Sequence, residues 1–194
     1  MRLFVIRHGQ VPSNVEGIIS GWNDEQLTEK GILQANQIKN QLQNIQFDVV
    51  YCSPVDRAKQ TAKIVAPQNE ILYDARLAER EPGTLLGQAR KNIDRNSWNS
   101  LDTDKTPEGA ETLASGLKRV KNILDEINEK YKDKTVLIVT HNFISKCIWI
   151  LENNIQNPEL INSFFHDNGE IKFYGQREGL IDMDISLDKS VKSM

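Results

Sequence analysis

Two histidines stand at equivalent places in the sequence, each directly after a short apolar run. Arg7-His8-Gly9 follows the run at residues 3–6, and Thr140-His141 follows the run at residues 136–139. Short continuous apolar runs are typical of buried strands in a parallel sheet. Because the carboxyl ends of parallel strands share one edge of the sheet, where open α/β folds bind their ligands, we expect the two imidazoles to form one site.

Arginines near these histidines indicate that the ligand of such a site is a phosphate. A neutral imidazole is a good nucleophile toward phosphorus near neutral pH, and phosphoryl transfer requires mainly positioning and charge stabilisation on the equatorial oxygens. Arginine supplies that stabilisation because it is permanently charged and binds phosphate oxygens in a bidentate manner. Arg7 adjoins His8, and Arg57 falls in the first turn of a predicted helix, whose amino end adds partial positive charge.

Other kinds of site are disfavoured. The segment from Cys52 to Arg57 resembles a cysteine phosphatase loop, but four residues instead of five separate the two, and Pro54 lacks an N–H that a phosphate cradle would use. Cys52 and Cys147 are expected to be reduced, structural thiols. The histidines lack metal-ligand spacing, so we expect neither a metal nor another cofactor, and His166 is expected to lie near a turn.

The elements that must position these residues follow an alternating pattern. Strands are predicted at residues 3–6, 49–51, 71–73 and 135–139, and helices at residues 28–45, 53–65 and 113–131 and after His141. Ser53 is predicted to cap the second helix, with Pro54 as its first residue. Edge strands are predicted at residues 171–174 and 180–185, and residues 81–108 are predicted to form an irregular surface flap.

This alternation predicts an α/β fold. We expect a three-layer sandwich in which a mostly parallel central sheet has helices on both faces. A single domain is expected over residues 1–186, followed by a polar tail at residues 187–194.

The composition is that of an ordinary globular protein. The 194 residues include 24 Lys and Arg against 27 Asp and Glu, a net charge of −3, and 39% of them are hydrophobic. This balance predicts neither a nucleic-acid nor a membrane partner, and no stretch approaches the roughly 20 apolar residues of a membrane span. The first apolar run is too short for a signal peptide, so a cytoplasmic location is expected. The oligomeric state stays open.

Five blocks of sequence, in order, resemble the motifs of the histidine phosphatase superfamily, the phosphoglycerate mutase-like group, and in particular its small phosphatases. The resemblance covers roughly the first 150 residues. The blocks are Arg7-His8-Gly9-Gln10 with Asn14; Gly21-Trp22 with Asp24, Leu27-Thr28 and Gly31; Ser53-Pro54 with Arg57-Ala58 and Thr61-Ala62; Leu77 with Glu79 and Gly83; and Val139-Thr140-His141.

The resemblance implies a phosphomonoester hydrolase that acts on a small phosphorylated metabolite through a phosphohistidine. It implies that His8 is the nucleophile, that Glu79 donates a proton to the leaving alcohol and that His141 completes the catalytic centre. The implied substrate-binding residues are Arg7, Asn14, Gly21, Arg57 and Asn142. Asn142 stands where the family most often has glycine, and Glu81 competes with Glu79 for the role of acid.

Two alternative functions are weighed against hydrolysis. Phosphoglycerate mutase-type phosphotransferases of this family are usually longer, with an extra segment that closes over the site, whereas this chain has only the predicted flap. A non-catalytic phospholigand-binding or scaffold protein is disfavoured because the nucleophile, arginines, second histidine and acid are all present. The substrate stays open, although Arg80, Arg90 and Lys91 are candidates to contact a second anionic group.

Overall fold

The sheet contains four parallel strands and one antiparallel edge strand in the part of the chain that the computed structural model describes, residues 1–101 and 103–175. The order across the sheet is β3-β2-β4-β1-β5, and only β5 runs antiparallel to its neighbour. The strands are β1 (Arg2–Arg7), β2 (Val49–Cys52), β3 (Ile71–Tyr73), β4 (Thr135–Thr140) and β5 (Ile171–Tyr174). All but one of the predicted strands are confirmed. The predicted strand at 180–185, the domain boundary at 186 and the tail at 187–194 lie outside the described residues.

Helices cover both faces of this sheet. Over the described ranges they are α1 (Pro12–Glu16), α2 (Glu29–Gln41), α3 (Asp56–Val65), α4 (Arg95–Trp98), α5 (Leu113–Lys130), α6 (Asn142–Glu152) and α7 (Pro158–Ser163). α2 and α3 pack on one face, and α5 and α6 pack on the other. The expected three-layer α/β sandwich is therefore confirmed. None of these helices has the length and apolar character needed to cross a membrane.

The central strands contain continuous apolar runs because each of their faces belongs to a different core. In β1, Leu3 and Val5 pack toward α5 and α6, whereas Phe4 and Ile6 pack toward α2 and α3. This alternation follows from the two-residue period of a strand. All six residues of β4 are buried, as expected of a parallel strand covered on both sides.

Several predicted element boundaries were wrong, each because of a tertiary contact or a short local turn. α3 begins at Asp56 with Val55 as its N-cap, so Ser53 stands before the helix, where its hydroxyl accepts from the Val55 N–H at 3.2 Å and also contacts His141 Nε2 at 2.7 Å. α2 ends at Gln41 instead of residue 45, because the chain then makes a short turn in which the Ile45 N–H donates to Leu42.

The loops contain more local structure than the sequence predicted. Neither α1, which follows β1, nor α7 was predicted from the sequence. The predicted flap at residues 81–108 is a series of 3-10 turns around α4, held together by backbone hydrogen bonds such as Leu86 N–H to Gly83.

Two glycines bring the loop after β1 directly against the start of α2. A Cβ on Gly9 would lie 2.4 Å from the carbonyl oxygen of Gly31, and a Cβ on Gly31 would lie 2.2 Å from that of Gln10. Thr28 caps α2 by accepting from the Gly31 N–H, and its own N–H donates to Gln10. The residues that follow β1 are thus held by a backbone contact with no room for a side chain.

Replacing Gly31 with alanine should therefore destabilise the protein, although the same change in an ordinary helix stabilises it by about 1 kcal/mol. We expect the free energy of unfolding, measured by urea titration, to fall by roughly 1–3 kcal/mol, as for other overpacked positions. Leu33→Ala, at an exposed position of the same helix, should change stability little. A Gly31→Ala variant more stable than the parent protein would contradict this account.

Candidate active site

The two histidines lie side by side at the carboxyl ends of neighbouring strands. β1 and β4 are paired so that Arg7 stands opposite Thr140, and the His8 N–H continues the ladder by donating to Thr140 at 2.9 Å. The ring centroids of His8 and His141 are 5.1 Å apart, and both side chains are buried. The expected convergence of the two imidazoles is observed.

Hydrogen bonds select the tautomer of His8. Nδ1 lies 2.8 Å from the carbonyl oxygen of Gly9, which can only accept, so Nδ1 carries the proton. Nε2 accepts from the Arg57 Nε–H at 3.2 Å. The neutral ring therefore presents its unprotonated nitrogen, the one able to act as a nucleophile, to a guanidinium group.

Backbone carbonyls hold Arg57 in this position. Its Nη2 donates to Gly21 at 2.6 Å and its Nη1 to Asn23 at 3.1 Å. Gly21 has a φ of +51°, and a Cβ there would meet the Pro82 ring at 2.9 Å. The position predicted to bind phosphate thus also orients an arginine, through its carbonyl group.

A chain of contacts through His166 holds Arg7. Arg7 Nη1 donates to the carbonyl of His166 at 2.6 Å, and the His166 N–H donates to Oδ1 of Asn142 at 2.9 Å. The His166 ring is buried between the Ser145 hydroxyl and the Glu170 carbonyl, at 2.6 and 2.9 Å. His166 is therefore a structural residue, and Asn142, the departure from the family pattern, connects α6 to it.

A cavity of about 150 Å³ opens in front of His8. Among the predicted site residues, its wall includes Arg7, His8, Asn14, Gly21, Arg57, Glu79 and Asn142. His141 is fully buried beside His8 and is not part of this wall; its Nε2 lies 2.7 Å from the Ser53 hydroxyl. Ser53 was interpreted from the sequence only as a helix cap, since nothing local shows that a histidine reaches it.

The two candidate acids differ in placement. Glu79 lines the cavity, and its Oε1 accepts from the Arg80 N–H at 2.8 Å. Glu81 is exposed and does not line the cavity. Trp98 lies on the cavity wall, whereas Trp22 is half-exposed and donates from its indole N–H to the Glu79 carbonyl. The geometry therefore favours Glu79 over Glu81.

Further cationic side chains line the cavity. Arg80, Arg90, Arg95 and Lys146 are on its wall, whereas the other candidate, Lys91, is exposed outside it. Lys146 was missed because it stands in an otherwise apolar helix. Within the described residues no group of three or more His, Cys, Asp or Glu side chains is placed to hold a metal ion.

Burial controls the ionisation of the site. It lowers the pKa of both His8 and His141 well below the ordinary value, and the positive charges of Arg57 and Arg7 lower them further. Burial likewise lowers the pKa of His166. The pKa of Arg7 falls to about 10, again mainly through burial, so Arg7 stays charged at neutral pH. The site is thus built from charged arginines and neutral imidazoles.

These three histidines should make stability depend on pH. Each binds a proton near pH 6.5 when unfolded but resists protonation when folded, so the unfolded state binds more protons as the pH falls below 6.5. The free energy of unfolding should therefore fall below that pH, by about 1.4 kcal/mol per pH unit for each histidine. Urea titrations between pH 5 and 8 measure this slope.

His8→Asn provides the matched control for this slope because it removes one titrating group. The variant should lose about a third of the slope between pH 6.5 and 5. A free energy of unfolding that stays constant over this range would rule out neutral histidines in the folded state.

Comparisons with known proteins agree with this geometry. The model of the histidine phosphatase superfamily (branch 1) matches residues 3–181. Phosphoserine phosphatase 1 of Hydrogenobacter thermophilus is 29% identical over 149 residues, which cover 73% of this chain and 71% of that protein. The adenosylcobalamin/alpha-ribazole phosphatase of Escherichia coli is 26% identical over 151 residues, 73% of each chain.

A solved structure extends this agreement to the fold. The crystal structure of phosphoserine phosphatase from Entamoeba histolytica, in complex with 3-phosphoglyceric acid, superposes with a TM-score of 0.80 at 28% identity over 92% of each chain. The relatives are phosphatases of small phosphate esters, and their fold is that of phosphoglycerate mutase. With its paired histidines at the sheet edge and its match over most of its length, this chain belongs to the histidine phosphatase superfamily and is a histidine-dependent phosphatase.

Proposed function

We propose that the protein hydrolyses a small phosphomonoester through a phosphohistidine formed on His8. The observation that carries this proposal is the hydrogen bond from Arg57 to the unprotonated Nε2 of His8. This bond places a nucleophile and a charge-stabilising group at one point, and Glu79 lies on the wall of the same cavity. The two phosphatases related in sequence support hydrolysis as the reaction.

In the first step, the lone pair of His8 Nε2 attacks phosphorus, and the bond between phosphorus and the ester oxygen breaks. Arg7 and Arg57 stabilise the charge on the equatorial oxygens. An alkoxide is a poor leaving group, so protonated Glu79 gives its proton to the departing oxygen. The Nδ1–H of His8 stays bound to the Gly9 carbonyl, which stabilises the positive charge of the phosphorylated ring.

In the second step, water replaces the alcohol in the cavity. The Glu79 carboxylate takes a proton from the water, whose oxygen attacks phosphorus while the bond to Nε2 breaks. The electron pair of that bond returns to His8, and inorganic phosphate leaves. Neutral His8 and protonated Glu79 are thereby restored, and the net reaction is ester plus water to alcohol plus phosphate.

His141 and Asn14 complete this proposal. His141, buried between His8 and Ser53, fixes the position of the nucleophile and has a buried Nδ1 with no hydrogen-bond partner in the described part of the chain. Asn14 Oδ1 accepts from the Val11 N–H at 3.3 Å, so its amide group is oriented on the cavity wall. Asn14 therefore supplies a neutral donor to the phosphate.

The proposal includes neither a metal nor a membrane or nucleic-acid partner. Arginines supply the positive charge that a metal ion would otherwise provide to the transferred group. Cys52 and Cys147 are free and buried, which fits the reducing conditions of the cytoplasm, the location that we propose. We also propose a single domain that includes the segment at residues 81–108, because this segment supplies part of the cavity wall.

Replacing His8 with alanine removes the proposed nucleophile, so the hydrolysis of p-nitrophenyl phosphate should fall to background. The parent protein should retain activity in EDTA, and rapid quenching during turnover of a ³²P-labelled ester should give an acid-labile label on the chain. His166→Asn is the matched control, since it replaces a buried histidine that does not line the cavity; it should keep measurable turnover. Full activity of His8→Ala would exclude the covalent mechanism.

Replacing Glu79 with glutamine should separate substrates by their leaving group. We expect kcat for an alkyl phosphate to fall by about 10²- to 10⁴-fold, the usual contribution of general acid catalysis. The release of p-nitrophenolate needs no proton, so the loss with p-nitrophenyl phosphate should be much smaller. Glu81→Gln, two residues away and outside the cavity, is the control and should affect neither substrate. Equal losses for both substrates in Glu79→Gln would contradict the assignment.

A further inference from the structure

The cavity continues past the proposed phosphate site to a second group of polar side chains, which we call the distal wall. Its members are Arg80, Trp98, Asn99, Lys146 and Asn162. Lys146 stands four residues after Asn142 on α6, about 6 Å along the helix axis, and both side chains line the cavity. Asn142 and Lys146 therefore lie about one helical turn apart on the cavity wall.

Arg80 is fixed in this wall with one group left free. Its side chain is 2% exposed, and its guanidinium carbon lies 3.8 Å from the ring centroid of Trp98 and 4.8 Å from that of Phe143. It donates to the carbonyls of Glu111 and Trp98. Its Nη2 is buried and has no hydrogen-bond partner in the described ranges.

Lys146 is held beside it by a chain of amides. The ammonium group, with the residue only 5% exposed, donates to Asn99 Oδ1 at 2.8 Å. Asn99 donates in turn to Asn162 Oδ1 at 2.9 Å, and Asn162 donates to Asn96 Oδ1 at 2.7 Å. These bonds orient the Asn99 amide so that its oxygen faces Lys146. The bond to Asn99 engages one of the three donors of the ammonium group.

Neither cation has an ion-pair partner among the described residues, a property that they share with the phosphate-site arginines Arg7 and Arg57. By contrast, two partly buried arginines away from the cavity are paired: Arg119 with Glu111 at 2.6 Å and Arg76 with Asp74 at 2.6 Å. Burying an unpaired charge is costly unless an anion compensates for it. Glu79 is the one acidic residue among those that line the cavity, and it is already assigned to the chemistry.

We propose that Lys146 and Arg80 bind a second anionic oxygen group of the substrate, of which a carboxylate is the smallest. This inference rests on the proposed hydrolysis and adds the substrate class: a short phosphomonoester whose alcohol part carries an acid. The phosphoryl group binds at Arg7 and Arg57, and the acid binds at the distal wall. Lys146 is then the residue that determines specificity.

Three alkyl phosphates test the proposal because they differ only in the group opposite the phosphate. 3-Phosphoglycerate carries a carboxylate, sn-glycerol 3-phosphate carries a neutral hydroxymethyl group in its place, and glycerol 1,3-bisphosphate carries a second phosphate on that hydroxymethyl group. We expect kcat/KM for at least one of the two esters with a second anionic group to exceed that for sn-glycerol 3-phosphate by roughly 10- to 100-fold. This is the range of a hydrogen bond to a charged group. The ester that is preferred identifies the anion.

Variants then assign this preference to Lys146. Lys146→Met removes the charge but keeps the length of the side chain. It should reduce toward one the ratio of kcat/KM for the preferred ester to kcat/KM for sn-glycerol 3-phosphate. Lys118→Met, at an exposed position of α5, is the matched control and should keep the parent ratio. Since losing a buried lysine can disturb folding, inhibition of p-nitrophenyl phosphate hydrolysis by each alkyl ester is also measured on the parent protein, where the anionic esters should inhibit more strongly.

The outcomes separate this inference from the proposed function. If the parent protein hydrolyses p-nitrophenyl phosphate and all three alkyl esters with equal efficiency, the function stands and the second anion site is overturned. If no phosphomonoester is hydrolysed, the proposed function itself fails. A folded Lys146→Met variant that keeps the parent ratio would exclude Lys146 as the specificity residue.

Discussion

Positive charge buried at one edge of the sheet is the constraint on which the rest of this structure depends. Arg7 and Arg57 are each no more than 3% exposed, and the hydrogen bonds that hold them end on the backbone carbonyls of His166, Gly21 and Asn23 and on a neutral imidazole. Carbonyl dipoles stabilise a guanidinium group without neutralising it, so the charge stays available to a ligand. The free protein is therefore less stable than it would be if carboxylates replaced these carbonyls as the partners of the two arginines. Such a loss of stability is common at functional sites.

The buried positive charge also affects the protonation of the two histidines. A protonated imidazole beside two arginines would add a third positive charge to a buried cluster, so His8 and His141 have pKa values well below the ordinary one. This is the state that a nucleophile requires, because a protonated ring has no lone pair to donate. The burial that destabilises the charged ring thus also keeps the proposed nucleophile active at neutral pH, and the two apolar cores on either side of the sheet provide that burial.

The strands and the meeting of the two histidines were predictable because they depend on local patterns. Continuous apolar runs indicate strands buried on both faces, and a histidine directly after each run must reach the same sheet edge if the strands are parallel neighbours. Ser53 and Lys146 were not predictable, since their neighbours His141 and Asn99 are far away in sequence. A serine before a proline has the pattern of a helix cap, and a lysine in an apolar helix has no periodic signal. The 3-10 turns between residues 81 and 108 likewise leave no periodicity in the sequence.

α6 connects the two ends of the proposed site. Its first residue, Asn142, accepts from His166, whose carbonyl holds Arg7, so the start of this helix fixes one phosphate-binding arginine. One turn later, about 6 Å along the axis, the same helix carries Lys146 to the distal wall. Because a helix is rigid over one turn, the spacing of Asn142 and Lys146 is set by backbone geometry and not by loop conformation. A substrate that fills both proposed sites must then hold its phosphate and its second anionic group a few bonds apart.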